Sequence, residues 1–462
     1  MSPSFVHVHQ LVDKLIDNIA FVLEYPYVDR HYRDNYYSYH AAKFSKIARN
    51  CIRVHIFEKP LENTDDLLSL NVSADEKYFG YFIVRPLVKY TLGRSLISPK
   101  AFKLSNFVCC LICDRVSVLG NELLVSGFPH VAQDTETHSC AESSLWSMME
   151  YYGAKYTQYK PLLPSQIYRN LLNVSDHRLL PSIGLTHHEL AKCLQENGYH
   201  CLTYRVPKAS SEDSPLYLML KIYIESGIPL LLIIKNDVVG HALLAIGHEN
   251  TEPYAVFSTK TWQDVSSFQK KLVLIDNNMS PYQLATTMSP TGHYPDQALR
   301  DLSIEAFIVP LPVHVFLSAE KAYSLLESVC NNSAVGLKTV AEKWTTRLFL
   351  TRSHSFKDFI FKDKSMDVNL RKYLLLLSLP KYIWACEFYR EDDLQQKTSS
   401  GLLIIDPTGD NKTLEPVLLY LLENRRMIHD GYKWTEIKSI KPLKMKTYQH
   451  NLKGVWNKWD SK

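Results

Sequence analysis

The spacing of apolar and polar residues predicts a mixture of helix and strand in the first part of the chain. Apolar positions recur at helical spacing over residues 8–23, and we predict a helix there. The second half of the tyrosine- and histidine-rich segment 25–50 is also predicted to be helical. Apolar runs predict strands at 51–58, 78–87 and 106–120. These elements indicate a small α+β unit over residues 1–125.

Residues 126–315 place helices before a run of strands. Gly153 is interpreted as the stop of the first helix, and Thr186 with Glu189 forms a capping box at the start of the third. The order favours an α+β fold with an antiparallel sheet. The predicted helices are 140–152, 165–172, 186–197 and 215–225, and the predicted strands are 200–206, 229–236, 240–249, 271–278 and 305–312.

Residues 316–462 are predicted to form a third α+β unit or an extension of the second. The pattern predicts a helix at 318–329, strands at 382–390 and 401–409, and a further helix at 415–425. None of these elements carries a recognisable chemical motif.

Composition and charge narrow the choice of partners. The 462 residues include 52 Lys and Arg against 48 Asp and Glu, which gives a net charge of +4. The chain has no long basic run, and its basic end at 438–462 is interpreted as a solvated face, so we expect no nucleic-acid partner. Apolar stretches stay below the ~18 residues of a membrane span, so no membrane span is expected.

Cysteine usage indicates a reducing compartment. Nine cysteines are an odd number, and their spacing does not suggest a disulfide framework. The opening residues lack the features of a secretory signal, so we expect a cytoplasmic location with reduced thiols. The run CCLIC at 109–113 has a single C-x-x-C spacing. Without a second pair, a buried strand is favoured over a zinc site.

One cysteine stands where a catalytic thiol would be expected. The stretch THSCAESSLWSMMEYYGAKY puts Cys140 directly at the start of a predicted helix. Backbone N–H groups and the positive end of the helix dipole lie beside a thiol at such a position, and they favour the thiolate. A buried structural cysteine could occupy any position along the apolar face of the helix instead.

Three further residues complete a set suited to thiol acyl transfer. His241 lies in the predicted strand GHALLAIGHE, Asp276 ends the predicted strand KLVLID, and Gln133 precedes Cys140. A thiolate attacks a carbonyl carbon, an imidazole moves the proton, a carboxylate orients the imidazole, and an amide donates to the oxyanion. His248, seven residues after His241, would face the other side of a regular strand.

This ordered set resembles the papain-like cysteine peptidases, and especially the bacterial peptidases that remove double-glycine leaders from exported peptides. The resemblance rests on QDTETHSCAESSLWSMMEYYG, GHALLAIGH and VLIDNN, and it covers about residues 128–312. It implies a core in which N-terminal helices pack on an antiparallel sheet. It also implies a triad of Cys140, His241 and Asp276, with Gln133 at the oxyanion.

The sequence departs from the pattern of that family in three ways. Gln133 stands seven residues before Cys140 rather than six, so Asp134 or His138 could lie near the oxyanion instead. Asp276 is followed by asparagine rather than proline, which leaves Asn277 as an alternative partner for the imidazole. The 35 residues between His241 and Asp276 contain 249–270, a possible inserted hairpin or lid.

The sequence therefore predicts a thiol hydrolase, most simply a cysteine peptidase acting on a peptide or protein substrate. Its chemistry requires no metal and no organic cofactor. Two alternatives stay open from the sequence. An acyltransferase or transglutaminase-like enzyme would use the same thioester, and an inactive relative would keep only a peptide-binding cleft.

Overall fold

The computed structural model describes residues 5–58, 77–87, 91–134, 136–250, 262–331, 337, 343–408, 416–422, 425–429, 434–437 and 441–455. The chain forms both helices and mainly antiparallel sheets, which confirms the α+β prediction. No helix in these ranges is both long enough and apolar enough to cross a bilayer. The helices are α1 (Val6–Lys14), α2 (Arg30–Ser38), α3 (Cys140–Lys155), α4 (Pro164–Leu172), α5 (His187–Glu196), α6 (Pro215–Glu225), α7 (Gln297–Arg300), α8 (Ala319–Asn331), α9 (Ser353–Lys362), α10 (Val368–Leu376) and α11 (Glu391–Gln396).

Twenty-three strands are described, and they belong to four sheets. The strands are β1 (Ile19–Tyr27), β2 (Cys51–Glu58), β3 (Tyr78–Arg85), β4 (Thr91–Ile97), β5 (Phe107–Cys109), β6 (Ile112–Val118), β7 (Asn121–His130), β8 (Tyr199–Arg205), β9 (Leu230–Lys235), β10 (Gly240–Glu249), β11 (Trp262–Asp264), β12 (Lys271–Ile275), β13 (Gln283–Thr286), β14 (Ser303–Pro312), β15 (Trp344–Arg352), β16 (Tyr382–Tyr389), β17 (Thr398–Ser399), β18 (Gly401–Ile405), β19 (Val417–Leu422), β20 (Arg425–His429), β21 (Trp434–Glu436), β22 (Met445–Lys446) and β23 (Lys453–Val455).

The first sheet is strongly curled. Its strand order is β1-β2-β3-β4-β7-β6, and every neighbouring pair is antiparallel. Arg53 of β2 donates to the carbonyl of Ser117 in β6 over 2.8 Å, so the second strand of the order comes close to the last one. Gly80 of β3 packs so closely on β4 that an added Cβ would lie 2.1 Å from the Leu96 carbonyl oxygen.

The central sheet carries a helix on each face. Its strands run in the order β13-β12-β10-β9-β14-β8, with β5 pairing β10 and β23 pairing β5. Alternate residues of β10 belong to different cores because successive side chains of a strand face opposite ways. Leu244 shares a core with Leu145 of α3, whereas Leu243 shares a core with Leu220 of α6.

A third sheet is separate from the central one and is formed mostly by strands from the C-terminal part of the chain. Its order is β11-β15-β16-β18-β19-β20-β21, in which only the β11–β15 pair is parallel; β17 and β22 form a separate small sheet. Arg347 of β15 bonds Glu225 of α6 over 2.7 Å and Glu387 of β16 over 3.0 Å. Burial alone would raise the pKa of Glu225, but Arg347 and His248 hold it below its ordinary value. The contact between Arg347 and Glu225 therefore joins the third sheet to α6, which packs on one face of the central sheet.

Two predictions for the first 50 residues are wrong. The helix predicted over 8–23 ends at Lys14, and residues from Ile19 onward form β1, because they pair along β2. The helix predicted in the second half of 25–50 lies in the first half, where Asp29 accepts from the backbone N–H of Tyr32 over 2.7 Å and caps α2. Tertiary strand pairing overrode an apolar spacing compatible with helix.

Two later predictions are also corrected. The single strand predicted at 106–120 is divided between β5 of the central sheet and β6 of the first sheet. The helix predicted at 415–425 is instead β19, an apolar strand paired on both sides by β18 and β20. A short apolar run does not distinguish a buried strand from a buried helix.

The other predicted helices and strands of the middle region are confirmed within a few residues, and so is the capping box at Thr186. The predicted end of the first helix is wrong, because α3 continues through Gly153 to Lys155. A Cβ at residue 153 would lie 2.4 Å from the backbone nitrogen of Pro161. Gly153 therefore permits a close approach of the following chain and does not stop the helix.

We expect Gly153→Ala to lower the thermal stability, although alanine is the better helix former by about 1 kcal/mol. The clash with Pro161 should outweigh that gain and cost about 1–3 kcal/mol. Thermal unfolding followed by circular dichroism measures the change. Ser324→Ala, at an exposed position of α8, is the matched control and should be neutral or slightly stabilising. A Gly153→Ala protein that unfolds at a higher temperature would contradict this packing role.

Candidate active site

The start of α3 presents Cys140 as predicted. Ser139 is the N-cap, its hydroxyl accepts from the backbone N–H of Ala141, and Glu142 completes a capping box. Cys140 is the first helical residue and is partly exposed. The capping interactions use the backbone N–H groups of Ser139 and Ala141. The thiol thus lies in the first turn, at the end of the helix where anions are favoured.

The loop before Cys140 is held by one buried carboxylate. Oδ1 of Asp134 accepts from the backbone N–H groups of Glu136, Thr137 and His138 over 2.8–3.0 Å. Its Oδ2 forms a 2.9 Å ion pair with Arg85 at the end of β3. Burial alone would raise the pKa of Asp134, but Arg85 and the backbone donors hold it below its ordinary value. The first sheet therefore supports the loop that carries the thiol.

The alternatives that the sequence left open for the oxyanion face the interior. Asp134 is engaged by Arg85 and the loop backbone, and the ring of His138 lies 3.5 Å from the ring of His31 between their Nε2 atoms. Burial lowers the pKa of His138 to about 4. Trp146 of α3 packs edge-on against His31 at 4.6 Å between ring centroids. These side chains form the support beneath the nucleophile loop.

His241 is the second residue of β10, and its ring contacts two of the predicted site residues. Nε2 lies 2.9 Å from Oδ1 of Asp276. The thiol of Cys140 lies close enough to the same ring to favour its charged form. Only 4% of the His241 side chain is exposed. The structure thus brings Cys140, His241 and Asp276 together, in the order that the sequence predicts.

Asp276 follows β12 and is completely buried. Besides His241, its Oδ1 accepts from the backbone N–H of Asn278 over 3.0 Å. Its Oδ2 accepts from the hydroxyl of Tyr294 over 2.8 Å and lies 3.5 Å from Nε2 of His293. A buried carboxylate with this many donors is stabilised in its ionised form.

The charges of the pair stabilise each other. Burial would lower the pKa of the His241 imidazole, but the adjacent Asp276 carboxylate and Cys140 raise it to about 10. Burial would likewise raise the pKa of Asp276, but His241 and the other donors keep it far below its ordinary value. The ring therefore holds a proton at neutral pH, and that proton can be given to a leaving group.

Asn277 has a different role from its neighbour. Its Nδ2 donates to the carbonyl of Cys140 over 3.2 Å and to the hydroxyl of Ser144 over 2.8 Å. It thus ties the first turn of α3 to the end of β12. Of the two candidates for the partner of the imidazole, Asp276 makes the contact and Asn277 holds the helix.

Gln133 lies against the same turn. Its backbone N–H donates to the carbonyl of Asn277 over 3.2 Å, and its side-chain amide donates to Oδ1 of Asn278. The loop between Gln133 and Cys140 is closed by the N–H of Asp134, which donates to the carbonyl of His138 over 2.9 Å. This closed turn accommodates the seven-residue spacing while Gln133 stays beside residues 276–278.

The remaining candidates lie elsewhere. His248 contacts Glu225 over 2.8 Å, and Cys109 and Cys110 of the CCLIC run are buried whereas Cys113 is exposed. Across the described ranges, no three His, Cys, Asp or Glu side chains form a group able to hold a metal. Of the proposed lid at 249–270, residues 251–261 lie outside the described residues, and Trp262–Asp264 pairs with β15.

Three residues near the site were missed by the sequence analysis. Arg85 lies 49 positions before its partner Asp134, so no local spacing indicates the pair. His293 and Tyr294 belong to a loop with no periodic pattern. The only signal was the polar and aromatic pair HY between TG and PD in SPTGHYPDQ.

Two comparisons, with family models and with curated proteins, bear on the identity of the chain. Neither the family models nor the curated proteins contain a match to the chain.

We expect Asp276→Asn to lower the pKa of His241 from about 10 to below its ordinary value of about 6.5. Burial still opposes the charged ring, while the carboxylate that outweighed burial is gone. Histidine proton resonances followed by NMR against pH measure the value. Asp363→Asn, which changes another buried carboxylate, should leave His241 unchanged.

The raised pKa of His241 also makes the free energy of unfolding depend on pH. A raised histidine pKa stabilises the folded state below a pH of about 6.5 and loses that contribution as the pH rises through about 10. Asp276→Asn should therefore cost more free energy of unfolding near pH 6 than above about pH 10. An unaltered titration of His241 in the variant would show that Asp276 does not control the ring.

Proposed function

We propose that the chain is a cysteine hydrolase with a papain-like core, acting on a peptide or isopeptide bond. One observation carries the proposal. The His241 ring is held by a buried carboxylate through Nε2, and the Cys140 thiol lies close enough to favour the charged form of the ring. A thiol at a helix start, an imidazole and an orienting carboxylate are the parts that nucleophilic catalysis by cysteine needs.

The first half of the reaction forms a thioester. The Cys140 thiolate adds to the carbonyl carbon of the scissile bond, and the carbonyl oxygen takes the negative charge. When the C–N bond breaks, the imidazolium of His241 gives its proton to the departing amine. The acyl group is then bonded to Sγ of Cys140, and His241 is neutral. Asp276 keeps the ring oriented throughout and stays ionised.

The second half releases the acyl group. Neutral His241 takes a proton from a water molecule, whose oxygen adds to the thioester carbon. Collapse of this second tetrahedral intermediate breaks the C–S bond and releases a carboxylic acid. Cys140 returns as thiolate beside the protonated ring. No electron is transferred, and water is the only other reactant.

Two donors suit the oxyanion. The first N–H groups of a helix have no intrahelical partner, and the capping box at α3 engages the amides of Ser139 and Ala141. This makes the Cys140 amide one donor. The side chain of Gln133 has two amide hydrogens, of which Asn278 takes one, and the second is assigned to the oxyanion.

The buried ion pair supports an enzyme over an inactive peptide-binding protein. Burying a carboxylate at 0% exposure is costly unless donors compensate it. A cleft that only binds would not need three donors arranged around Asp276, or a ring placed near a thiol. A cytoplasmic location is part of the proposal, since it keeps the thiol reduced.

We expect Cys140→Ala to abolish labelling by a thiol-directed acyl probe, and His241→Ala to slow it by about 10²-fold or more, because the proton-transfer group is lost. Labelling is followed by intact-protein mass spectrometry. Cys113→Ala is the matched control, since Cys113 is the exposed cysteine outside the site. Undiminished labelling in both site variants would remove the proposal.

If the enzyme is a hydrolase, its product should be a free carboxylic acid. With a peptide substrate and added primary amine, we expect the free acid to remain the main product, because water attacks the thioester. Chromatography coupled to mass spectrometry separates acid from amide. A predominant amide that still requires Cys140 would identify an acyltransferase on the same thioester and overturn the hydrolase assignment.

A further inference from the structure

The turn after β12 contacts every part of the proposed site. Asp276 bonds the imidazole, Asn277 bonds the first turn of α3, and Asn278 bonds the side chain of Gln133. Three consecutive residues therefore reach the base, the nucleophile helix and the oxyanion amide. The side chains of Asp276 and Asn278 must keep fixed orientations for these contacts to form together.

Tyr294 and Asn278 both hold the carboxylate of Asp276. The hydroxyl of Tyr294 donates to Oδ2 of Asp276 over 2.8 Å, and the Asn278 side chain lies close enough to influence the phenol electrostatically. Asn278 also gives its backbone N–H to Oδ1 of Asp276 over 3.0 Å. The contacts form a continuous path from Gln133 through Asn278 and Asp276 to His241, and Tyr294 holds the other oxygen of the carboxylate.

The phenol is itself held in place. Nε of Arg300 donates to the carbonyl of Tyr294 over 2.8 Å, and its Nη2 donates to the carbonyl of Pro295 over 3.2 Å. The hydroxyl of Thr291 donates to the carbonyl of Arg300 over 3.0 Å. The loop thus closes on itself, and a fixed loop fixes the direction in which the hydroxyl points.

We propose that Tyr294 and Asn278 are positioning residues that couple the orientation of the Asp276 carboxylate to that of the Gln133 amide. The inference rests on the proposed function for its catalytic consequence. Neither residue is assigned a contact with substrate. Tyr294 keeps Oδ1 of Asp276 directed at the imidazole, and Asn278 passes the constraint to the oxyanion side of the site.

This coupling gives a physical reason for the seven-residue spacing of Gln133. Asparagine at 278 offers an acceptor for the Gln133 amide, which an aliphatic side chain would not. With Gln133 at a seven-residue spacing, its amide needs an external anchor, and Asn278 provides one. In metal sites, removing the outer partners of ligating residues changes activity by about 10–100-fold, and we expect an effect of the same order here.

The test compares Tyr294→Phe, Asn278→Ala and the double variant. Tyr448→Phe is the matched control, because it removes another buried hydroxyl, one that bonds Thr351 over 2.8 Å in the C-terminal part of the chain. We expect each single site variant to lower kcat by about tenfold with KM unchanged. Thermal unfolding should be no more affected than in the control.

The loss of kcat in the double variant tests whether Tyr294 and Asn278 are coupled. Members of one network are not additive, so the double variant should lose no more than the worse single variant. Losses that multiply would show two independent residues and overturn the coupling. A Tyr294→Phe protein with unchanged kcat would overturn the positioning role, while Cys140-dependent turnover of the unmodified protein would still support the hydrolase.

A second readout does not depend on activity. Released from Tyr294, the carboxylate turns away from the ring, so we expect the pKa of His241, measured by NMR, to fall from about 10 in Tyr294→Phe and to stay unchanged in Tyr448→Phe. An unchanged value in Tyr294→Phe would contradict the proposal even if no substrate is ever turned over.

Discussion

The contact between the Asp276 carboxylate and the His241 imidazole is the constraint on which the rest of the site depends. Both groups are buried, and burial alone would remove the charge from each of them. They remain charged because they lie 2.9 Å apart. The hydroxyl of Tyr294 and the backbone N–H of Asn278 also donate hydrogen bonds to the carboxylate. The His241 imidazole therefore carries the proton that the thiol chemistry needs.

The fold assembles this site from elements far apart in the chain. The central sheet supplies the base from β10 and its partner from the end of β12, while α3 supplies the thiol across one face. The N-terminal region contributes as well, since Arg85 of β3 and Asn35 of α2 hold the loop before Cys140 through Asp134 and Thr137. These N-terminal residues thus support the loop that carries the nucleophile, through buried contacts.

How much could be predicted from the sequence depends on how local each signal was. A helix start at Cys140 and a carboxylate at the end of β12 are local signals, and both elements were found. The apolar run of β19 carries no period that separates strand from helix, and β1 is decided by its pairing with β2. Arg85 and Tyr294 act through partners that no spacing indicates, so only the folded chain reveals them.

The most direct test is a crystal structure of the protein with a peptide aldehyde, which mimics the carbonyl of the proposed substrate. The account predicts a covalent bond between Sγ of Cys140 and the aldehyde carbon, with the new oxygen directed at the Cys140 amide and Gln133. The imidazole of His241 should lie beside the sulfur and keep its bond to Asp276. A free sulfur at saturating aldehyde, or a ring more than about 6 Å from it, beyond the reach of proton transfer, would contradict the account.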